Sequence, residues 1–224
     1  SVLPGEYAES IVTRILDPSS IAVDLESIGI EENMFNMLMD EIKKPNGLIL
    51  NTGPTGSGKT TTLYAFLRKI HRPGVKIITI EDPVEYHLEG IVQSQVDGKN
   101  YTFAGGLRTA LRQDPDVIMV GEIRDQEVAS TAVHAALTGH LVFSTLHTNN
   151  AAGAFPRLTD IGIDKNVIGS AVNVAMAQRL VRIFRDECKQ PVELTGEKKA
   201  YVDQVLATVD NKSAIPDNTT TVWE

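Results

Sequence analysis

Cysteine is almost absent from this sequence, in which Cys188 is the single example among 224 residues. One cysteine excludes a disulfide within the chain and a zinc site built from a cluster of cysteines. Long hydrophobic runs are also missing, and no apolar stretch approaches the roughly 20 residues that a membrane-spanning helix needs. Residues 1–4 do not open a signal-peptide pattern, so we expect a cytoplasmic protein.

Basic residues are outnumbered as well: 21 lysines and arginines face 29 aspartates and glutamates, which gives a formal net charge of −8. Proteins that bind nucleic acid usually present a basic surface to the phosphate backbone. We therefore expect no nucleic-acid partner, although a local basic patch is compatible with this charge. The composition, 42% hydrophobic and 22% charged, is typical of a soluble protein, and the length suits one domain with extensions.

Residues 53–60 form the most informative stretch, since they satisfy the phosphate-binding pattern G-x-x-x-x-G-K-[ST] at every fixed position. An apolar run at 47–52 predicts a strand before this stretch, and apolar residues at helical spacing over 61–70 predict a helix after it. Glycines in such a loop let the backbone amides and the helix N-terminus surround a polyphosphate. The predicted nucleotide-binding residues here are Gly53, Pro54, Thr55, Gly56, Ser57, Gly58, Lys59, Thr60 and Thr61.

Three side chains near this site have distinct expected roles. The Lys59 ammonium should reach the β- and γ-phosphates, and the Thr60 hydroxyl should bind Mg²⁺. His147 follows a strand predicted at 141–146, which places it on the ligand-binding edge of the sheet. We therefore expect His147 to contact the γ-phosphate. The alternative is a structural hydrogen bond of the kind that most single histidines make.

Acidic residues stand at the ends of two predicted strands. Glu81 and Glu85 follow the strand at 76–80, and Glu122 ends the apolar run at 116–121. Ligands bind at the carboxyl ends of strands in open α/β sheets, so we expect Glu81 and Glu85 to help hold Mg²⁺ or orient water. Glu122 is expected to orient a water, or accept its proton, for attack on phosphorus. The alternatives are a solvated acidic turn and a solvated glutamate at a strand end.

Three arginines are weaker candidates. Arg14 lies in a strand-like stretch at 9–16 and would either face a neighbouring nucleotide or carry a solvated charge. Arg108 and Arg112 are four residues apart on a helix predicted over 102–113, so they share one face. They would stabilise phosphate charge or cross a subunit boundary, unless they are ordinary surface residues.

Strands alternating with helices predict an α/β fold. Residues 1–28 look incomplete as a domain, so we expect their strand to pair with residues upstream or to pack on the main domain. Residues 29–185 are expected to form the core, and 186–224 a C-terminal extension. Further helices are predicted over 29–45, 149–162, 164–179 and 197–209.

Four segments in this order resemble the motifs of the type II secretion and type IV pilus assembly ATPases. The segments that resemble the family's phosphate loop, aspartate box, Walker B region and histidine box are residues 53–62, 80–86, 111–125 and 138–149. Residues 177–182 are similar to the segment that closes the family's core. The resemblance covers about residues 1–185 and implies that residues 1–28 are the end of the family's N-terminal domain with a linker.

The resemblance implies a RecA-like P-loop NTPase core with a central, mostly parallel sheet flanked by helices. It implies a homohexamer with ATP between subunits, in which Glu122 is the general base that activates water. Glu81 and Glu85 would assist at Mg²⁺, and Arg14 would contact nucleotide from the preceding domain. Hydrolysis would power type II protein secretion or type IV pilus assembly through an inner-membrane platform protein, at the cytoplasmic face of that membrane.

Two other functions fit parts of the sequence. A DNA-translocating motor of related fold would need a basic channel. A nucleotide-gated scaffold would bind ATP with little turnover, and Glu122 argues against it. Many family members also carry four zinc-binding cysteines after the core, whereas Cys188 stands alone here, so we predict no bound zinc.

Overall fold

A computed structural model describes residues 2–4, 6, 8–11, 23–98, 100–184, 187–209, 215, 219 and 221–223. The chain divides into two compact units, Ser1–Leu180 and Val181–Glu224. Within those described ranges, each helix is too short or too polar to cross a membrane.

The first unit begins with an antiparallel pair of strands, β1 (Val2–Pro4) and β2 (Glu9–Ile11). The strand predicted over 9–16 is thus confirmed at its start, while its remainder, with Arg14, lies outside the described residues. A 3-10 helix over Leu25–Ile28 follows, and its buried Leu25 joins the hydrophobic core.

Six parallel strands form the central sheet of this unit: β3 (Gly47–Thr52), β4 (Ile77–Glu81), β5 (Val92–Gln95), β6 (Val117–Val120), β7 (Leu141–Leu146) and β8 (Val172–Ala177). Across the sheet they stand in the order β5-β4-β6-β7-β3-β8. Every residue of β3, β4, β6 and β7 is buried. Such continuously buried strands are expected where both faces of a parallel sheet are covered.

Helices cover both faces of the sheet: α1 (Glu32–Glu41), α2 (Lys59–Ile70), α3 (Phe103–Leu111), α4 (Gln126–Leu137), α5 (Ala154–Ile161) and α6 (Lys165–Ala171). Ile49 and Phe143 belong to the same cluster as Phe66 of α2, and the two phenylalanine rings stack with centroids 6.0 Å apart. Leu48 and Leu50 belong to a second cluster with residues of α3 to α6. Successive residues of β3 thus face opposite sides. The predicted α/β class with a parallel sheet is confirmed.

The helix predicted over 164–179 is wrong in its second half. α6 ends at Ala171, and the following residues form β8, an edge strand that pairs with β3. Apolar residues at helical spacing suggested one long helix. The β-branched Val172 and Val174 suit a strand equally well, and pairing with β3 decides the outcome. The strand carries residues 178–180 to the edge of the sheet where β3 ends.

The described residues of the second unit include an antiparallel pair of strands, β9 (Pro191–Glu193) and β10 (Thr221–Trp223), and a helix, α7 (Gly196–Ala207). The helix predicted over 197–209 is confirmed as α7, which begins one residue earlier and ends two residues earlier than predicted.

Candidate functional site

The predicted site residues meet at the edge of the sheet where its parallel strands end. The loop at 53–58 follows β3, Glu81 ends β4, Glu122 stands two residues beyond β6, and His147 directly follows β7. A cavity of about 740 Å³ lies at this edge. The predicted residues that line it are Thr55, Gly56, Gly58, Lys59, Thr60, Thr61, Glu81, Glu85, Glu122 and His147. Gly53, Pro54 and Ser57 complete the same loop.

Glycine determines the shape of this loop. Gly53 has a φ of 146° and Gly58 a φ of 85°, both in the region that side chains disfavour. A Cβ on Gly53 would lie 2.5 Å from the carbonyl oxygen of Gln178, so no larger residue fits there. Gly58 is the N-cap of α2, and among the described side chains none caps that helix end. The first amides of α2 therefore keep their capacity to bind an anion.

Lys59 projects over the loop from the first position of α2. Its Nζ donates to the carbonyl oxygens of Gly53 at 3.0 Å and Pro54 at 2.9 Å. Burial lowers the pKa of Lys59, the nearby charge of Glu122 partly opposes this, and the charge of Arg179 adds to it. A partly desolvated ammonium therefore lies beside the loop amides, where a polyanion would stabilise its charge.

Glu81 is the most enclosed acid of the site, with 2% of its surface exposed. The hydroxyls of Tyr64 and Thr79 donate to its carboxylate, and the amide of Gln93 donates at 3.2 Å. Burial and the bond to Glu81 raise the pKa of Tyr64 far above its usual range, so the phenol keeps its proton. Both oxygens of Glu81 already accept hydrogen bonds, which makes it less available as a metal ligand than the sequence suggests.

Glu122 has a cation on one side and an imidazole on the other. Arg124 forms an ion pair with its Oε1, and Nε2 of His147 lies 3.5 Å from its Oε2. The side chain of Glu122 is 16% exposed, so the carboxylate is enclosed but reaches the cavity. The hydrogen bond to Glu122 raises the pKa of Arg124, which therefore stays charged.

Arg124 is a functional candidate that sequence reasoning missed. It lies two residues after Glu122, and residues spaced by two in extended chain point to the same side. That spacing was the available signal. By contrast, Arg108 pairs with Glu127 on α4, and within the described structure neither Arg108 nor Arg112 lines the cavity.

The residues present fit a nucleotide phosphate. The uncapped end of α2 and the Lys59 ammonium offer donors, and the buried Ser57 hydroxyl has no partner within the described part of the chain. The donor set also suits Mg²⁺, which takes few protein oxygens and keeps several waters. Thr60, which is exposed, and Glu85, which is half-buried, both line the cavity. Within the described ranges, no group of three or more His, Cys, Asp or Glu side chains is arranged so that it could hold a metal ion.

Comparison with known sequences gives one family. Its model, described as "Type II/IV secretion system protein", matches residues 1–221. Type II secretion system protein E of Dickeya dadantii (strain 3937) is 52% identical over 199 residues, which are 88% of this chain and 40% of the relative. Type II secretion system ATPase E of Vibrio cholerae serotype O1 is 50% identical over 204 residues, 91% of this chain and 41% of the relative. The chain spans about two fifths of the length of these curated relatives.

Solved structures of two ATPases or motors are similar in fold to most of this chain. The pilus retraction motor PilT with bound ADP is 37% identical, with a TM-score of 0.66 over 80% of this chain and 54% of that chain. The Legionella pneumophila ATPase DotB is 34% identical, with a TM-score of 0.60 over 71% of this chain and 46% of that chain.

Proposed function

Because the chain belongs to the type II/IV secretion system protein family, we propose that it binds ATP with Mg²⁺ in the cavity described above and hydrolyses it. The observation that carries this proposal is the meeting of a glycine-rich phosphate loop after β3 with the Glu122 carboxylate beyond β6. One strand, β7, separates β3 from β6, which sets the axes of these two strands about 10 Å apart.

Lys59 and the loop amides hold the phosphates in this proposal. The backbone N–H groups of the loop residues after Pro54 surround the β-phosphate, and Lys59 turns from the loop carbonyls to the β- and γ-oxygens. The Thr60 hydroxyl, with Glu81 and Glu85 nearby, would hold Mg²⁺, and that ion would supply charge neutralisation on those oxygens. The two protein hydrogen bonds on Oε1 of Glu81 favour a supporting role for this residue at the metal.

Glu122 directs the attacking water. Arg124 occupies Oε1 and thereby orients the carboxylate, so Oε2 is the oxygen that takes the water's proton. The water oxygen bonds to the γ-phosphorus, and the bond from that phosphorus to the bridging oxygen breaks to release ADP and phosphate. His147, on the Oε2 side, contacts the γ-phosphate.

For the whole protein we propose a homohexamer with ATP between subunits, in which Arg14 reaches the nucleotide from the preceding domain. The relatives are secretion system proteins and a pilus retraction motor, which supports a place in a secretion or pilus machine. Hydrolysis would then power type II protein secretion or type IV pilus assembly. The chain would act through an inner-membrane platform protein at the cytoplasmic face of that membrane, with no nucleic-acid partner.

Titration with ADP and phosphate release from Mg-ATP together test this proposal. We expect saturable ADP binding, and phosphate release per chain that rises with protein concentration because a second copy completes the cleft. Lys59→Ala is the control for site occupancy, and added DNA should leave the rate unchanged. A titration up to about 1 mM ADP detects binding with a free energy of about 4 kcal/mol or more. If no ADP binding is seen at that concentration, the proposal is contradicted.

A further inference from the structure

The side chain of Gln178 lies outside the phosphate loop and is hydrogen-bonded both to the strand before the loop and to the helix after it. Its side-chain Oε1 accepts hydrogen bonds from Nδ2 of Asn51 at 3.0 Å and from Oγ1 of Thr62 at 2.9 Å. Asn51 belongs to β3 and Thr62 to the beginning of α2, and both are buried. The side-chain oxygen of Gln178, which directly follows β8, therefore links β3 to α2. The relative position of β3 and α2 determines the conformation of the loop between them.

The same glutamine also contacts the loop itself at both ends. Its N–H donates to the carbonyl oxygen of Thr52 at 2.9 Å, directly before the loop. A Cβ on Gly53 would lie 2.5 Å from the Gln178 carbonyl oxygen, and a Cβ on Gly58 would lie 3.0 Å from its Nε2. Gly53 and Gly58, the first and last glycines of the loop, thus pack closely against Gln178. Gly58 directly precedes Lys59 in the chain.

The loop needs such support because glycine can adopt many backbone conformations. Gly53, Gly56 and Gly58 all have positive φ, which glycine reaches without steric cost. Contacts around the loop must therefore select one conformation from the many that its glycines allow. β3 lies between β7 and the edge strand β8, and Gln178 supplies the support from the β8 side.

We infer that Gln178 is a positioning residue for nucleotide binding: its Oε1 accepts hydrogen bonds from both Asn51 and Thr62, and this fixes the positions of the loop amides and of Lys59. Asn51 extends the link, since its Nδ2 also lies 3.4 Å from the Lys59 carbonyl oxygen. This inference rests on the proposed function, because the ligand that it concerns is a nucleotide in the phosphate loop.

Three variants and one control test the inference, with ADP affinity measured by titration and thermal stability measured without nucleotide. Gln178→Met keeps the length of the side chain and removes the acceptor. Thr62→Val keeps the shape of threonine and removes one donor, and the third variant combines both changes. The control is Asn173→Ala, because Asn173 also lies on β8 and donates to the Asn46 carbonyl oxygen at 3.0 Å, before β3 begins.

Gln178→Met should weaken ADP binding about tenfold, the effect of losing one or two hydrogen bonds of ordinary strength. Thr62→Val should weaken it about threefold by itself and have no further effect beside Gln178→Met, since the two changes remove a shared contact. Asn173→Ala should lower the melting temperature and leave ADP affinity within about twofold, since its contact lies at the far end of the strands.

Wild-type ADP affinity in Gln178→Met would overturn the inference, as would equal weakening by Asn173→Ala or additive effects in the double variant. If Gln178→Met does not fold, the nearly isosteric Thr62→Val decides by itself, and unchanged affinity there contradicts the inference. Failure of the wild-type chain to bind ADP would overturn the proposed function, and with it this inference.

Discussion

The guanidinium of Arg124 donates to the carboxylate of Glu122, the acid that follows β6 at the ligand-binding edge. Arg124 is itself held in place: its Nη1 lies 3.8 Å from Oδ2 of Asp82, and its guanidinium carbon lies 6.0 Å from the centre of the Phe103 ring. The orientation of the proposed general base therefore depends on a neighbour that is fixed by two further groups.

Arg124→Ala should lower turnover by up to about 100-fold, because a carboxylate that is free to rotate aims the water poorly. ADP affinity should stay within about twofold, since Arg124 acts through Glu122 rather than on the loop. Steady-state phosphate release and ADP titration measure the two effects. The control is Lys44→Ala, which removes a surface ion pair with Glu41. Unchanged turnover in Arg124→Ala would show that Glu122 needs no such partner.

Lys59→Met should change the pH dependence of stability in the nucleotide-free chain. Burial lowers the pKa of Lys59, so the folded chain binds fewer protons at this residue than the unfolded chain does. The ammonium therefore opposes folding at neutral pH, and this cost disappears as the pH rises past the unfolded pKa of about 10.4. The melting temperature of Lys59→Met relative to wild type should fall between about pH 7 and pH 10. A constant difference across that range would contradict the assignment, and ADP binding by the variant should be lost.

Tyr64→Phe should destabilise the folded chain by about 1–3 kcal/mol, because it leaves the buried Glu81 carboxylate without one of its donors. Denaturant unfolding measures the change. Tyr201→Phe is the control, since that ring is 69% exposed. The cost should shrink in a Glu81→Ala background, where no carboxylate remains to be satisfied. Equal costs in the two backgrounds would mean that the Tyr64–Glu81 contact contributes nothing.

The main elements of the core could be predicted because buried parallel strands have simple sequences. The runs at 47–52 and 141–146 each contain three consecutive large apolar residues, are bounded by polar or glycine residues, and match β3 and β7 at each end. The meeting of the phosphate loop with Glu122 and His147 followed from one rule, that parallel strands end at one edge. The roles of these residues in hydrolysis stay predictions.

Contacts between residues distant in sequence could not be predicted. Gln178 is 116 residues from Thr62, and Tyr64 is 17 residues from Glu81, so packing brings each pair together rather than local pattern. β8 was missed for the same reason, since its apolar residues fit a helix until β3 is present to pair with them.

The most direct measurement is turnover by Glu122→Gln, at a protein concentration where the wild-type chain releases phosphate. This variant keeps the size of the side chain and its place beside Arg124, and loses the ability to take a proton. We predict ATP affinity within about twofold of wild type and phosphate release at least about 100-fold slower. Phosphate release at the wild-type rate would contradict the account, since Glu122 would then have no part in directing the water.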